Sequence, residues 1–147
     1  MNACLIFVTA LLVSAVAFAD DKGSDVTKLP EGSVYEGTFT MSDGKKVTSS
    51  SGLEIKITKR EGTKFEGEWT NTDNHNRAKI EGAIAGVKVS FKFTKVLEGK
   101  FPKDVIGNAK ASGTLSVSGE DTTIKSGTYV VPGRNGTGKW EVKSKED

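Results

Sequence analysis

The side chain best suited to acid–base or metal chemistry is His75, the only histidine of the sequence. A metal ion would need further ligands nearby, and Asp73 alone makes a poor partner. A histidine acting as a catalytic base would need a nucleophile to activate. The only cysteine, Cys4, lies in the N-terminal segment that we predict below to be cleaved, and there is no Gly-x-Ser-x-Gly motif. We therefore interpret His75 as a solvated loop residue and predict no metal site.

Two further patterns invite a chemical interpretation. Glu66 and Glu68 share one face of a predicted strand, and paired carboxylates in a cleft can hydrolyse glycosides. On an exposed strand that lysine flanks, a solubilising face with cross-strand ion pairs is the simpler interpretation. The glycine-rich residues 133–138 precede a predicted strand instead of a helix, which argues against a phosphate-binding loop. The sequence thus predicts no catalytic residue, no cofactor and no enzymatic activity.

The elements that carry these residues are strands, and the clearest pair occupies residues 77–94. Apolar and polar residues alternate up to Ile84, and they alternate again from Val87 to Phe93. A period of two is typical of a strand that is buried on one face. The spacing predicts an antiparallel hairpin in which the two-residue connection Ala85-Gly86 pairs Ile84 with Val87.

The same alternation recurs in eight segments, which predicts an all-β fold, an eight-stranded antiparallel up-and-down meander barrel. A two-sheet β-sandwich is the alternative. Glycine recurs between large apolar residues, as at Gly37 between Tyr35 and Phe39. Such a glycine suits a strongly curved strand or leaves room for a neighbouring ring. A change of parity in the seventh strand predicts a β-bulge near Ser126.

The connections are predicted from polar and glycine-containing stretches. Residues 42–51 are predicted to form a turn and an extended loop. Arg60-Glu61-Gly62 fits a three-residue hairpin loop with Gly62 in the left-handed region. Residues 95–108 form the longest predicted connection.

The chain begins with an apolar segment that ends in a small-x-small sequence at Ala19. This pattern is typical of a signal peptide over residues 1–19, so we predict cleavage after Ala19 and a secreted or periplasmic location. A transmembrane anchor is the alternative, but it needs about 20 apolar residues. We further predict a flexible lead-in over 20–33, a single β-barrel domain over 34–143 and a charged tail over 144–147.

Charge and patterning restrict the partners. The net charge of +2 is too balanced to indicate a nucleic acid or an anionic membrane as partner. Apolar rows point inward and polar rows outward, the reverse of a transmembrane β-barrel, so we expect a soluble barrel that does not span a membrane after signal removal. Asn135 begins an Asn-x-Thr sequence, which would be a glycosylation site in a eukaryotic host.

An opening aromatic-Gly-x-aromatic strand, an eight-strand meander and a closing Gly-x-Trp strand resemble the lipocalin and avidin-like (calycin-type) barrels. The first strand has Gly37-Thr38-Phe39 where a lipocalin has Gly-x-Trp. The biotin-binding Asn and Ser of the avidin-type first strand are replaced by Thr40-Met41-Ser42-Asp43, so biotin binding is not carried over. The resemblance implies a barrel open at one end, with a cavity that can hold a small molecule.

Aromatic side chains dominate the predicted interior and supply the candidate ligand-binding residues. The alternative is a filled interior, because an eight-stranded barrel is only just wide enough for its own side chains. Phe101, Val105 and Ile106 lie in the longest connection and are the candidate lid; the alternative is a plug that completes the core. The candidate ligand-binding residues are Tyr35, Phe39, Trp69, Phe91, Tyr129 and Trp140.

We therefore expect an exported, soluble, non-catalytic β-barrel that binds a small apolar or aromatic molecule in its interior. The alternative function is that of a solid structural or interaction barrel, which contacts another macromolecule through its loops or outer face. A cavity on the order of a few hundred Å³ favours the first function. A filled interior with an exposed apolar patch favours the second.

Overall fold

The structure is a computed structural model that describes residues 29–42, 45–134 and 136–145. The predicted signal peptide, the lead-in up to residue 28, residues 43–44 of the predicted turn, Asn135 and the last two residues lie outside the described part of the chain. Among the described residues, none belongs to a helix with the length and apolar character needed to cross a membrane.

Eight strands account for most of the described chain and close into one barrel. Each strand pairs antiparallel with its neighbours in sequence, and β8 returns to pair with β1. This closure confirms the predicted meander barrel and excludes the sandwich. The strands are β1 Val34–Ser42, β2 Val47–Glu61, β3 Lys64–Asn71, β4 Arg77–Ala85, β5 Lys88–Glu98, β6 Lys110–Ser118, β7 Asp121–Val130 and β8 Thr137–Ser144.

The two ends of the barrel differ in their connections. Strands β1, β3, β5 and β7 finish at the same end, which we call the lid end, and the longer connections leave from there. At the opposite end the connections are short turns at residues 62–63, 86–87 and 119–120. The lid end is therefore where loop residues can cover the barrel interior.

Two strands are longer than the sequence predicted. β2 begins at Val47, so the predicted loop over residues 47–51 is wrong; for example, Ser50 lies opposite Thr40 of β1. β5 continues to Glu98, and the longest connection therefore covers residues 99–109. Both extensions lack a clean apolar alternation, because they are held by main-chain pairing more than by burial of side chains.

The β4–β5 hairpin has a different register from the predicted one. Ile84 lies opposite Val89, so the predicted pairing of Ile84 with Val87 is wrong. The turn is Gly86-Val87, in which Gly86 has a φ of +61° and Val87 is 53 % exposed. Both registers put Ile84 and Val89 on the inner face, so the periodicity alone could not distinguish them.

Two other local predictions can be compared with the structure. Gly62 has the predicted left-handed φ of +60°, but its loop contains two residues instead of three because Glu61 pairs with Lys64. The β-bulge predicted near Ser126 is confirmed, because the β7–β8 register shifts between Ile124 and Gly127. Ser126 itself has a φ of +54°.

Glycines on the inner face make room for rings. A Cβ on Gly127 would lie 2.6 Å from Cε2 of the Trp140 indole, and one on Gly138 would lie 2.9 Å from Cε2 of Phe39. Real Cβ atoms do not approach that closely, so larger residues would displace these rings. The glycines therefore fix where the aromatic side chains can pack.

The end of the lead-in closes the barrel end opposite the lid. Leu29 is only 1 % exposed and belongs to the buried core. The backbone N–H of Gly32 donates to the carbonyl of Ile57 at 2.8 Å, and the N–H of Ile57 donates to the carbonyl of Ser33 at 2.9 Å. Residues 29–33 are thus packed against the barrel.

Candidate functional site

Aromatic rings fill the middle of the barrel. The Trp69 ring centroid lies 5.9 Å from that of Phe91, 5.4 Å from that of Phe93 and 6.0 Å from that of Trp140. Tilted and edge-to-face contacts at such distances are favourable for aromatic pairs. Nε1 of Trp140 donates a 3.0 Å hydrogen bond to the carbonyl of Thr128. Phe91 and Trp140 therefore belong to a packed core.

A cavity of about 200 Å³ lies above this core, at the lid end. Three of the predicted ligand-binding residues line it, namely Phe39, Trp69 and Tyr129. The Phe39 ring packs edge-to-face on both others, with centroid distances of 5.3 Å to Trp69 and 5.5 Å to Tyr129. We call this space the lid-end cavity; its other lining residues are Met41, Asn71, Asn76, Phe93, Lys100, Phe101, Pro102, Val105 and Arg134.

The loop over residues 99–109, which we call the lid loop, covers the cavity. Phe101 and Val105 line the cavity, whereas Ile106 packs against the core beside it. The Phe101 ring lies 6.3 Å from the Phe93 ring, and Val105 is 2 % exposed. The N–H of Gly107 donates to the carbonyl of Phe93 at 2.8 Å, which ties the loop to β5. The candidate lid residues are thus buried or half-buried.

One side of the lid loop is attached to the β3–β4 connection by a single side chain. The Asn76 amide nitrogen donates to the carbonyl of Lys100 at 3.0 Å, and its amide oxygen accepts from the Lys100 N–H at 3.2 Å. Gly99 has a φ of +75°, and a Cβ there would collide with Asn76. The glycine therefore permits the close approach that this paired hydrogen bond needs.

The other side of the lid loop is attached to the β7–β8 connection. Nε of Arg134 donates to Oδ2 of Asp104 at 2.6 Å, and the second guanidinium nitrogen donates to Oδ1 at 2.5 Å. This two-point geometry is the strong form of an arginine–carboxylate pair. The hydrogen bonds from Arg134 hold the pKa of Asp104 below its ordinary value. The pair is therefore ionised at neutral pH and bridges two loops over the cavity.

Tyr129 is the polar member of the aromatic wall. It is 7 % exposed, and burial raises the pKa of its phenol to about 12, although the nearby Arg134 lowers it in part. The phenol is therefore neutral at physiological pH. A neutral hydroxyl beside rings can donate a hydrogen bond to a ligand without bringing charge into the cavity.

Tyr35, the remaining predicted ligand-binding residue, lies far from this cavity. It is 1 % exposed in the core at the end that residues 29–33 close. Burial raises the pKa of its phenol, while a side-chain hydrogen bond with Ser33 and the charge of Arg60 act in the opposite direction. The structure thus places the two tyrosines at opposite ends of the barrel.

Sequence reasoning missed the polar rim of the cavity, formed by Asn71, Asn76, Lys100 and Arg134. These residues lie in connections or at strand ends, where no periodicity marks them. Within the described ranges, no group of three or more His, Cys, Asp or Glu residues could hold a metal ion. His75 occupies the exposed β3–β4 connection with a φ of +61°.

Comparison with known proteins identifies the fold alone. No family model matches the chain, and no curated protein matches it. It is similar to a de novo designed fluorescence-activating β-barrel, with 17 % identity, a TM-score of 0.49 and coverage of 82 % of this chain and 98 % of that one. It is also similar to EF1p2_mFAP2b, solved bound to DFHBI, with 13 % identity, a TM-score of 0.50 and coverage of 86 % and 98 %.

The comparisons bear on only one part of the resemblance predicted from the sequence, namely the fold. The closed eight-stranded antiparallel barrel is confirmed by the strand pairing, and EF1p2_mFAP2b matches that fold. Membership of the lipocalin or avidin-like families is not shown. The fold is therefore known, and the activity has to be argued from the lid-end cavity.

Proposed function

We propose that this protein is an exported, non-catalytic barrel that binds a small, ring-bearing apolar molecule in the lid-end cavity. The observation that carries the proposal is the wall of the cavity, where aromatic rings from β1, β3, β5 and β7 meet beneath the lid loop. Mostly apolar walls with a few placed polar groups are typical of small-molecule sites.

The size of the cavity restricts the ligand. About 200 Å³ is below the roughly 300–1,000 Å³ of typical drug-sized sites, so a compound of one or two fused rings fits best. Among the polar groups, Lys100 is exposed at the rim, and the neutral hydroxyl of Tyr129 belongs to the wall. A ligand with an apolar ring system and one polar substituent would match both the wall and the rim.

Two further parts of the proposal have their own support. The barrel EF1p2_mFAP2b was solved with DFHBI bound, so the same fold is compatible with ligand binding.

Export rests on the apolar segment before Ala19, and mass spectrometry of the protein from its own host should find a mature chain that begins at Asp20. A chain that retains residues 1–19 would contradict export by cleavage.

The binding proposal can be tested with a fluorescent two-ring probe, 1-aminonaphthalene, titrated into the purified protein. Phe101→Ala removes a ring from the cavity wall, and Ile106→Ala is the matched control because it alters the same loop outside the cavity. An aromatic contact contributes roughly 0.5–1.5 kcal/mol, so Phe101→Ala should weaken binding by about twofold to tenfold. Ile106→Ala should leave the affinity nearly unchanged.

Native mass spectrometry of the protein from its host gives a second, independent measurement. A compound that is released by solvent and reduced by Phe101→Ala would identify the ligand class. A barrel that carries no compound and binds no ring-bearing probe would contradict the proposal. That result would favour a solid barrel that contacts another macromolecule.

A further inference from the structure

The outer face of the barrel separates its charges, although the net charge of the chain is only +2. On β3 and β4 the acidic side chains lie beside basic ones: Glu66 lies 3.1 Å and Glu81 3.7 Å from Nζ of Lys79. Between Lys88 and Thr94 on β5, and along all of β6, the sequence contains no acidic residue. This part of the outer face is therefore basic, although the total charge of the chain is nearly balanced.

We call the exposed face of β5, β6 and β7 around Lys88, Lys92 and Lys110 the lysine face. None of these three lysines forms an ion pair with a carboxylate of the described residues. Lys92 and Lys110 lie directly opposite each other in the β5–β6 register. Like charges in that position repel each other. Lys92 also lies opposite Glu81 in the β4–β5 register, which offsets the repulsion at Lys92, whereas Lys110 lies opposite Val130 on β7 and has no acidic register partner.

Hydroxyl groups occupy the positions between the lysines. Ser90 and Ser112 are register partners on β5 and β6, and the Ser112 hydroxyl lies 3.2 Å from that of Thr128 on β7. These groups border a shallow concavity of about 600 Å³ together with the three lysines. Glu81 stands at its edge, with its carboxylate near Lys79. The concavity therefore combines cations and hydroxyl groups.

We propose that the lysine face binds an anionic polysaccharide, a chain that carries sulfate or carboxylate groups. The anions would relieve the repulsion between Lys92 and Lys110, and the hydroxyls of Ser90 and Thr128 would hydrogen-bond to sugar hydroxyls. This surface is separate from the lid-end cavity, so the proposal does not depend on the cavity holding a ligand.

Two observations favour a polysaccharide over a nucleic acid. Phe91, the one aromatic residue of the described ranges that borders the concavity, is 5 % exposed and so offers no surface on which a base could stack. Among the described residues that border the concavity there is also no arginine, the residue that binds phosphate in a two-point geometry. Lysines and hydroxyls arranged along strands suit a flexible chain with spaced anions.

The test measures binding of dextran sulfate and of alginate by the full mature chain at several salt concentrations. The test variant is Lys88→Gln/Lys92→Gln/Lys110→Gln. The matched control is Lys56→Gln/Lys59→Gln/Lys64→Gln, which removes the same charge from the outer face and turn at β2 and β3. We expect the test variant to lose at least tenfold in affinity and the control to lose less than threefold.

A single substitution separates binding from folding. Lys110→Glu places opposite charges across the β5–β6 pair, so it should raise the denaturation midpoint while it weakens polysaccharide binding. Equal losses in the two triple variants would show an effect of total charge and would overturn the proposal. Failure of the parent protein to bind either polymer at 150 mM salt, or equal binding of duplex DNA, would overturn it as well.

Discussion

Arg134 and Asp104, thirty positions apart in sequence, are joined by two hydrogen bonds across the lid end of the barrel. Asn76 forms a second such bridge to the backbone of Lys100. The lid loop is therefore fixed to a different connection on each side. These two polar bridges, the hydrogen bond from Gly107 to Phe93 and the burial of Val105 hold the loop over the lid-end cavity.

The first prediction concerns the ionisation of Asp104. Because Arg134 stabilises the carboxylate, the pKa of Asp104 should lie below its ordinary value of 3.8 in the folded protein. A group with a lowered pKa stabilises the folded state above its unfolded pKa, and this contribution is lost as the pH falls through the folded value. The bridge should therefore persist at neutral pH and open in acid below pH 3.8.

Carbon-detected NMR titration of the aspartate carboxyls measures this directly. In Arg134→Gln the titration midpoint of Asp104 should return toward 3.8. Lys145→Gln is the control, because it breaks another exposed ion pair, with Glu36, at the opposite end of the barrel. If the Asp104 midpoint is the same in the parent and in Arg134→Gln, the bridge does not exist in solution.

The second prediction concerns the two tyrosines, Tyr35 and Tyr129. Burial raises the pKa of both, to about 12 for Tyr129, so absorbance titration of the folded protein should show both tyrosinate steps displaced above pH 10. In the unfolded chain both tyrosines ionise near their ordinary pKa of 10.0. The free energy of unfolding therefore keeps its full value below pH 10 and falls as the pH rises toward 12. Tyr129→Phe should reduce this alkaline loss. A normal two-tyrosine step at pH 10 in folded protein would contradict the burial of both rings.

The third prediction concerns the space that Gly127 leaves for the Trp140 indole. An added methyl group would overlap both the indole ring and the main-chain carbonyl oxygen of Trp140, so Gly127→Ala should lower the free energy of unfolding by about 1–3 kcal/mol in urea denaturation. Gly119→Asn is the control, because this turn glycine has no atom within 4 Å of a Cβ and asparagine tolerates its φ of +63°. Equal effects of the two substitutions would show that ring packing at Gly127 is not tight.

The sequence allowed the faces of the strands to be predicted, but not their full extent. Inward rows such as Leu53 to Ile57 alternate cleanly, because burial on one face imposes a period of two. Residues 47–50 show no such row, since they are held by main-chain pairing with β1. The Gly86-Val87 register was missed because a shift by two residues preserves the faces.

The candidate site was predictable to a similar degree. Phe39, Trp69 and Tyr129 could be assigned to the interior from their positions in alternating segments, and the structure brings them to one cavity. Alternation does not say how high in the barrel a side chain lies, so Tyr35, Phe91 and Trp140 could not be separated from them. The bridge from Arg134 to Asp104 joins two irregular loops, for which no local pattern exists.

The last prediction decides whether the lid loop opens or only completes the core. The Gly107 and Ala109 amides donate to backbone carbonyls at 2.8 and 3.0 Å, so their hydrogen exchange reports on opening of the loop. If ligands enter by this route, both amides should exchange through a local opening that costs less free energy than global unfolding and depends little on denaturant. The barrel amides of Phe91 and Ala111, which lie opposite each other in the β5–β6 pairing, should exchange only through global unfolding. Arg134→Gln should speed exchange at Gly107 severalfold and leave the barrel amides unchanged, because it removes one bridge.

If the amides of the lid loop exchange only when the barrel amides also exchange, the loop is a plug that opens with global unfolding. The cavity would then have no entrance through the lid end.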